Sequence, residues 1–176
     1  MLFVDTGRHF PETLRYRDAL VDRLGLHLRI VSPDERTVRE EDPDRTLAKR
    51  QPDECCRIRK TFPLQDALAG YDCWLTGRKR MHGGARSTLP YFERDGTHVK
   101  INPLATWDRA TIAAYFTFHE LPRHPLEGQG FPSIGCEPCT SRAAPGSEPR
   151  AGRWAGLDKT ECGIHMGPDG KIVRGR

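Results

Sequence analysis

Six cysteines hold most of the chemistry that this sequence announces: Cys55, Cys56, Cys73, Cys136, Cys139 and Cys162. The chain opens MLFVDTGRH, without a basic patch followed by an apolar run, so it carries no export signature and is expected in the reducing cytoplasm, where structural disulfides are disfavoured. Metal binding or catalysis is then the better use of the thiols. The adjacent pair Cys55-Cys56 and the Cys-x-x-Cys of Cys136 and Cys139 are distant in sequence, so four thiolates meet only through folding. Four soft sulfurs suit tetrahedral zinc or an iron-sulfur cluster. Adjacency favours a 4Fe-4S cluster, because two neighbouring residues turn with difficulty onto one small ion, whereas a cubane offers separate iron corners. Cys73 stands alone, and a lone cysteine is ordinarily a small hydrophobe.

Cys162 differs from both pairs. It follows Lys159-Thr-Glu161 and precedes Gly163-Ile-His165, so two basic side chains are placed to favour the thiolate and a glycine permits close approach. That is the setting of a nucleophile. Cations gather elsewhere in two groups: Arg78-Lys79-Arg80 with Arg86 beyond a double glycine, and Arg150 with Arg153 beside Trp154. A single arginine among 28 basic residues is ordinarily solvated surface, but grouped forks match a phosphate or a sulfate. Lys60 lies four residues after Cys56, on the same face if the segment is helical, where its charge would balance cluster and substrate.

These residues need a scaffold. At 176 residues, 36% hydrophobic and 30% charged, the chain is long enough for one compact domain and too polar for a membrane protein. The net charge of +4 suits an anionic ligand without demanding nucleic acid. Leu2 to Asp5 reads as a buried strand that delivers the polar turn Asp5-Thr-Gly7, Pro11 to Leu24 as a helix stopped by Gly25, and Leu26, Leu28 and Ile30 as a second strand. This β-α-β opening implies a parallel sheet. Asp34 to Arg45 is mostly charged and reads as a solvated excursion. A helix from Pro63 to Ala69, strands at Asp72 to Thr76 and Val99 to Ile101, and a helix from Asp108 to Phe118 follow, the last turning Ile112, Tyr115 and Phe116 toward the sheet. From Pro122 onward proline and glycine make a loop-rich tail. The expected division is an α/β core over 1–121 and a cluster-binding and catalytic tail over 122–176. Neither a Walker-type phosphate loop nor a Gly-x-Gly-x-x-Gly fingerprint is present.

Taken together, Phe3-Val-Asp-Thr-Gly-Arg-His-Phe-Pro-Glu-Thr13, Cys55-Cys-Arg-Ile-Arg-Lys60, Trp74-Leu-Thr-Gly-Arg-Lys-Arg80, Pro132-Ser-Ile-Gly-Cys-Glu-Pro-Cys-Thr140, Arg150-Ala-Gly-Arg-Trp154 and Lys159-Thr-Glu-Cys-Gly-Ile-His165 resemble the assimilatory adenylyl-sulfate (APS) reductases, the cluster-containing branch of the APS/PAPS reductase family. The resemblance runs from end to end. It implies an α/β, parallel-sheet core of the adenine nucleotide alpha hydrolase-like (PP-loop, Rossmann-like) type, with a 4Fe-4S cluster on Cys55, Cys56, Cys136 and Cys139. Cys162 would attack the sulfur of APS, expel AMP and form an S-sulfocysteine that thioredoxin or glutaredoxin cleaves to sulfite. Lys60, Arg78, Lys79, Arg80, Arg86, Arg150, Arg153 and His165 would hold the substrate.

Two departures accompany the likeness. The chain opens at the strand after the family's Ser-Gly-rich PP-loop, so its first β-loop-α unit is expected to be missing, with weaker nucleotide binding, exposed sheet edges and self-association as consequences. Met81-His82 stands where many relatives carry an acidic residue and Gln. Three rival readings remain: a PAPS reductase, which typically lacks the four cluster cysteines; an inactive truncated relative; and a zinc-stapled binding module.

Overall fold

The computed structural model of the chain describes residues 1–157 and 159–162. Strand β1 (Leu2–Val4) lies parallel to β2 (Arg29–Val31), with Leu2 opposite Arg29 and Val4 opposite Val31. Helix α1 (Pro11–Leu24) joins them and ends at Gly25, whose left-handed backbone (φ 57°) lets its N–H reach the Val21 carbonyl. Leu26 also donates to Val21, at 3.0 Å, so residues that alternate like a strand complete the helix exit instead, and β2 begins three residues later than expected.

The charged stretch is partly interior. Asp34 caps α2 (Glu35–Glu41) by accepting from the Thr37 N–H, and Asp42, 2% exposed, accepts from Leu47 N at 2.8 Å and from Arg59 Nη2 at 2.7 Å. A solvated excursion is therefore only half the description. The buried pair ties the loop before α3 (Leu47–Arg50) to the segment that follows the first cysteines.

Helix α4 (Pro52–Cys56) continues through a π-helical turn (Arg57–Thr61) into α5 (Phe62–Leu68). Pro63 has no N–H to return to the preceding turn, and the wide turn, in which Phe62 N–H bonds the Arg57 carbonyl, absorbs that loss.

A second sheet has the order β3 (Cys73–Leu75), β5 (His98–Ile101), β4 (Phe92–Asp95), with β3 parallel and β4 antiparallel to β5. The parallel expectation thus holds for β1–β2 and β3–β5 but not for β4, a hairpin strand whose Phe-Glu-Arg-Asp carries one apolar residue and no strand signal of its own. Among the described residues the two sheets share no ladder. Helix α6 (Arg109–Phe118), capped by Asp108, half-buries Ile112 and Phe116. Tyr115 departs from the expectation, remaining 44% exposed against the rings of Trp107 and His119.

The sheet β3–β5–β4 is inverted relative to its pattern. Its apolar face leaves Leu75 and Phe92 67% exposed, while Lys100 on the other face is 1% exposed, 3.1 Å from Asp95 and over the Trp74 ring. The best-packed cluster lies away from the sheets, where Leu47, Ala48, Cys55 and Ile58 meet Cys136, Cys139 and Trp154. No helix among the described residues is long and apolar enough to cross a membrane.

Candidate active site

Cys55 and Cys56 sit on the last turn of α4, 8% and 5% exposed. The second pair is brought to them by β1. The turn after that strand carries Thr6, fully buried, whose Oγ1 lies 3.3 Å from Cys136 Sγ, and His9 forms a β-bridge to Cys136 while Glu137 N–H bonds the Arg8 carbonyl. A 3-10 turn (Glu137–Cys139) then presents Cys139, and the chain returns so that Thr140 bridges Arg153 and Trp154 N–H bonds the Cys139 carbonyl. Two glycines make this crossing possible. A Cβ at Gly152 would collide with the Ser141 carbonyl oxygen, and one at Gly135 with the Arg153 guanidinium.

All six cysteines are free thiols. Burial, then the neighbouring Cys56, pushes Cys55 up to about 12, with Cys139 and Cys136 adding and Arg59 opposing. Cys56 and Cys139 are raised for the same first reason. Lys60, one turn beyond Cys56, answers these charges: burial works against its ammonium, yet Cys136, Cys162 and Cys56 overcome it and raise its pKa. One cation is therefore within electrostatic reach of both cysteine pairs and the tail thiol.

Cys162 is half-buried and packs on the Cys55–Trp154 cluster. Arg78, Lys100 and Arg150, like Lys60, lie within its electrostatic reach. Arg78 and Arg150 are each pulled down to about 10, by burial first and the nearby Arg86 second, as expected where guanidinium groups crowd.

The other sequence-derived cations divide by partner. Arg78 is paired with Glu93, and Arg86 and Arg150 both grip Glu161. Arg153 lies over the Trp154 ring, 4.4 Å from its centroid, and its Nε donates to the Cys139 carbonyl, so it lines the cysteine loop. Lys79 Nζ bonds the Gly77 carbonyl at 2.8 Å, and Arg80 Nε the Leu89 carbonyl at 2.8 Å, which fixes the basic loop. Lys159 is held by Asp53. His165 lies outside the described residues.

Sequence reasoning missed Lys100, Glu161 and His82. In β5 the apolar Val99 and Ile101 flank Lys100 and advertise themselves as the core face, whereas the site lies on the other. His82 Nδ1 is 3.1 Å from Arg86 Nη1, and burial, then Arg86, Lys79 and Arg150, lower its pKa to about 4. The histidine is thus neutral above pH 5 and accepts from Arg86. Because the folded pKa lies below the ordinary 6.5, this residue's contribution is complete above pH 6.5 and is lost as pH falls toward 4. Chemical denaturation across that window should show His82→Gln losing less stability than the parent chain on acidification; parallel losses would refute the assignment.

Among the described residues, no three His, Cys, Asp or Glu side chains are placed as a group that could hold a metal ion.

The phosphoadenosine phosphosulfate reductase domain matches residues 1–142. The chain belongs to that reductase family. Within it, adenosine 5'-phosphosulfate reductase of Chelativorans sp. (strain BNC1) is 48% identical over 94% of this chain and 68% of its own length, and that of Mycolicibacterium smegmatis 46% identical over 94% and 72%. This family member therefore spans about two thirds of those relatives. Among solved structures, phosphoadenylyl-sulfate reductase from Candida auris, a phosphate complex, superposes with a TM-score of 0.67 at 29% identity over 81% of this chain and 70% of that one. Candida glabrata FMN adenylyltransferase shares the fold alone, with a TM-score of 0.54 at 16% identity over 77% of this chain and 42% of that one. The reductase-family fold is thus the α/β, PP-loop-like type expected from the sequence.

Proposed function

We propose that the chain is an adenylyl-sulfate reductase of sulfate assimilation, with Cys162 as its nucleophile. The observation that carries the reading is the packing of Cys55, from the first cysteine pair, with Cys136 and Cys139, from the second, and of the tail thiol Cys162 against the same cluster, within electrostatic reach of Lys60. The 43–48% identity to proteins named adenosine 5'-phosphosulfate reductase supports it.

The chemistry balances without an external electron carrier in its first step. The Cys162 thiolate attacks the sulfate sulfur of APS, the S–O bond to the nucleotide breaks, and AMP leaves with the electron pair, giving Cys-S-SO3⁻. One thiol of a thioredoxin-type dithiol then attacks the Cys162 sulfur and releases sulfite, leaving a mixed disulfide; the second thiol attacks the partner's own sulfur, breaks that S–S bond and returns Cys162 as a thiolate while the dithiol is oxidised to a disulfide. Lys60, Arg78 and Arg150 lie where they would stabilise the charge of the phosphosulfate and of departing AMP. Lys100, buried beside Asp95, adds a fixed positive charge behind them.

The donor set fits a 4Fe-4S cluster on Cys55, Cys56, Cys136 and Cys139. All four are free and 8% exposed or less, burial raises the pKa of Cys55, Cys56 and Cys139, and among the described residues the buried Trp154 indole Nε1 in the same cluster has no hydrogen-bond partner, as a donor to inorganic sulfide would be. Bound there, the group would supply a polarising charge beside Lys60.

The test is sulfite release from APS and from PAPS by anaerobically prepared protein with a thioredoxin system. Turnover of APS above PAPS is expected. Preference for PAPS would install the rival reductase.

A further inference from the structure

The mechanism above uses the tail thiol but leaves unexplained what seats it, because a loop-rich segment has no regular structure to hold a side chain in place. Directly before Cys162 is Glu161, an acid that is 9% exposed in a region otherwise crowded with cations. Its Oε1 accepts from Arg86 Nε at 2.5 Å and its Oε2 from Arg86 Nη2 at 2.7 Å, a bidentate fork in which the Arg86 side chain is itself 10% exposed. Arg150 closes the other side, its Nη2 lying 3.4 Å from Oε2 and 2.9 Å from the Thr160 carbonyl oxygen. The grip thus includes the tail's backbone as well as its carboxylate. Two residues earlier, Lys159 makes an ion pair of opposite polarity with Asp53 on α4, its side chain 4% exposed beneath the Trp154 ring. Cys162 is therefore anchored on its N-terminal side to both the arginine loop and the cysteine helix.

We propose that Glu161 is the positioning residue of the nucleophile: gripped by Arg86 and Arg150, it seats the tail so that Cys162 stays packed against the cluster of Cys55, Cys136, Cys139 and Trp154. The inference rests on the assignment of Cys162 above and adds a role for the acid beside it. A carboxylate that merely filled the substrate's anion site would face a solvent-open mouth and hold no backbone. Here Arg86 is buried, Arg150 is half-buried, and Arg150 bonds the Thr160 peptide. The pairing also assigns Arg86 first to the tail, where sequence reading gave it to the substrate.

The test compares the parent chain with Glu161→Gln and Glu161→Asp. Amide hydrogen exchange over residues 159–162 should accelerate about tenfold in Glu161→Gln, with α1 and β5 unchanged, because a buried charge-assisted fork is lost only at the tail. Glu161→Asp, which keeps the charge, should recover most of the protection. In the sulfite assay kcat should fall about 10²-fold in Glu161→Gln with KM within about twofold, the signature of misplacement rather than lost binding. Unchanged exchange at 159–162, or a uniform rise across the chain, would overturn the proposal, as would a fall in KM, which would mean that the carboxylate competes with substrate. Exchange requires no turnover, so loss of the positioning role and loss of the reductase reading are separable: the latter shows as an inactive parent chain with a protected tail.

Discussion

Replacing Cys162 with serine should abolish sulfite release, lowering turnover by about 10⁴-fold or more, since no other group supplies the bond-forming electron pair. The fold should survive. Cys162 is half-buried at the edge of the cysteine cluster, and serine is smaller by little, so the melting transition should shift only slightly while chemistry disappears. Nucleotide binding should also persist, because Lys60, Arg78 and Arg150 remain in place. Equal rates in parent and variant would remove the thiol from the mechanism. A variant that fails to bind AMP would recast Cys162 as a structural element.

The second large effect is expected at Cys136. Its sulfur faces Thr6 at the end of β1, and its backbone is bridged to His9, so it is the joint between the first sheet and the cysteine loop. Cys136→Ser should give colourless protein lacking iron and acid-labile sulfide, and a stability loss well above the about 1 kcal/mol typical of point substitutions, since a bound cluster contributes folding free energy. Lys60 would be left with fewer thiolates against its ammonium, so activity should fall with the metal. A Cys136→Ser protein that retains iron at parental stoichiometry would exclude this cysteine as a ligand.

How much of this was legible in the sequence depends on what kind of signal each residue leaves. The cysteine pairs were visible because sulfur is rare and its spacing is chemical. The turn Asp5-Thr-Gly7 was legible as the end of a strand, but not that Thr6 in it would meet Cys136. Helix α1 and its glycine stop followed from periodicity and left-handed backbone. Lys100 was not legible, because alternation says only that two faces differ, and in β5 the apolar face is the exposed one. Strand β4 has no apolar period to read and exists through its pairing with β5. Asp42 and Glu161 escaped for a related reason. A buried acid is recognisable only by the arginine that neutralises it, and both partners, Arg59 and Arg86, come from other segments of the chain. The arginine groups stand out in the sequence as clusters, yet clustering does not tell Arg86 and Arg150, which pair with Glu161, from Arg78, which pairs with Glu93.

The central claim is tested most directly by incubating anaerobically prepared protein with APS in the absence of any reducing thiol, then locating the modification by peptide mass spectrometry. One SO3 group on the peptide containing Cys162, released as sulfite on addition of reduced thioredoxin, is the predicted result. An unmodified Cys162 together with sulfite production, or the SO3 group on a different cysteine, would contradict it.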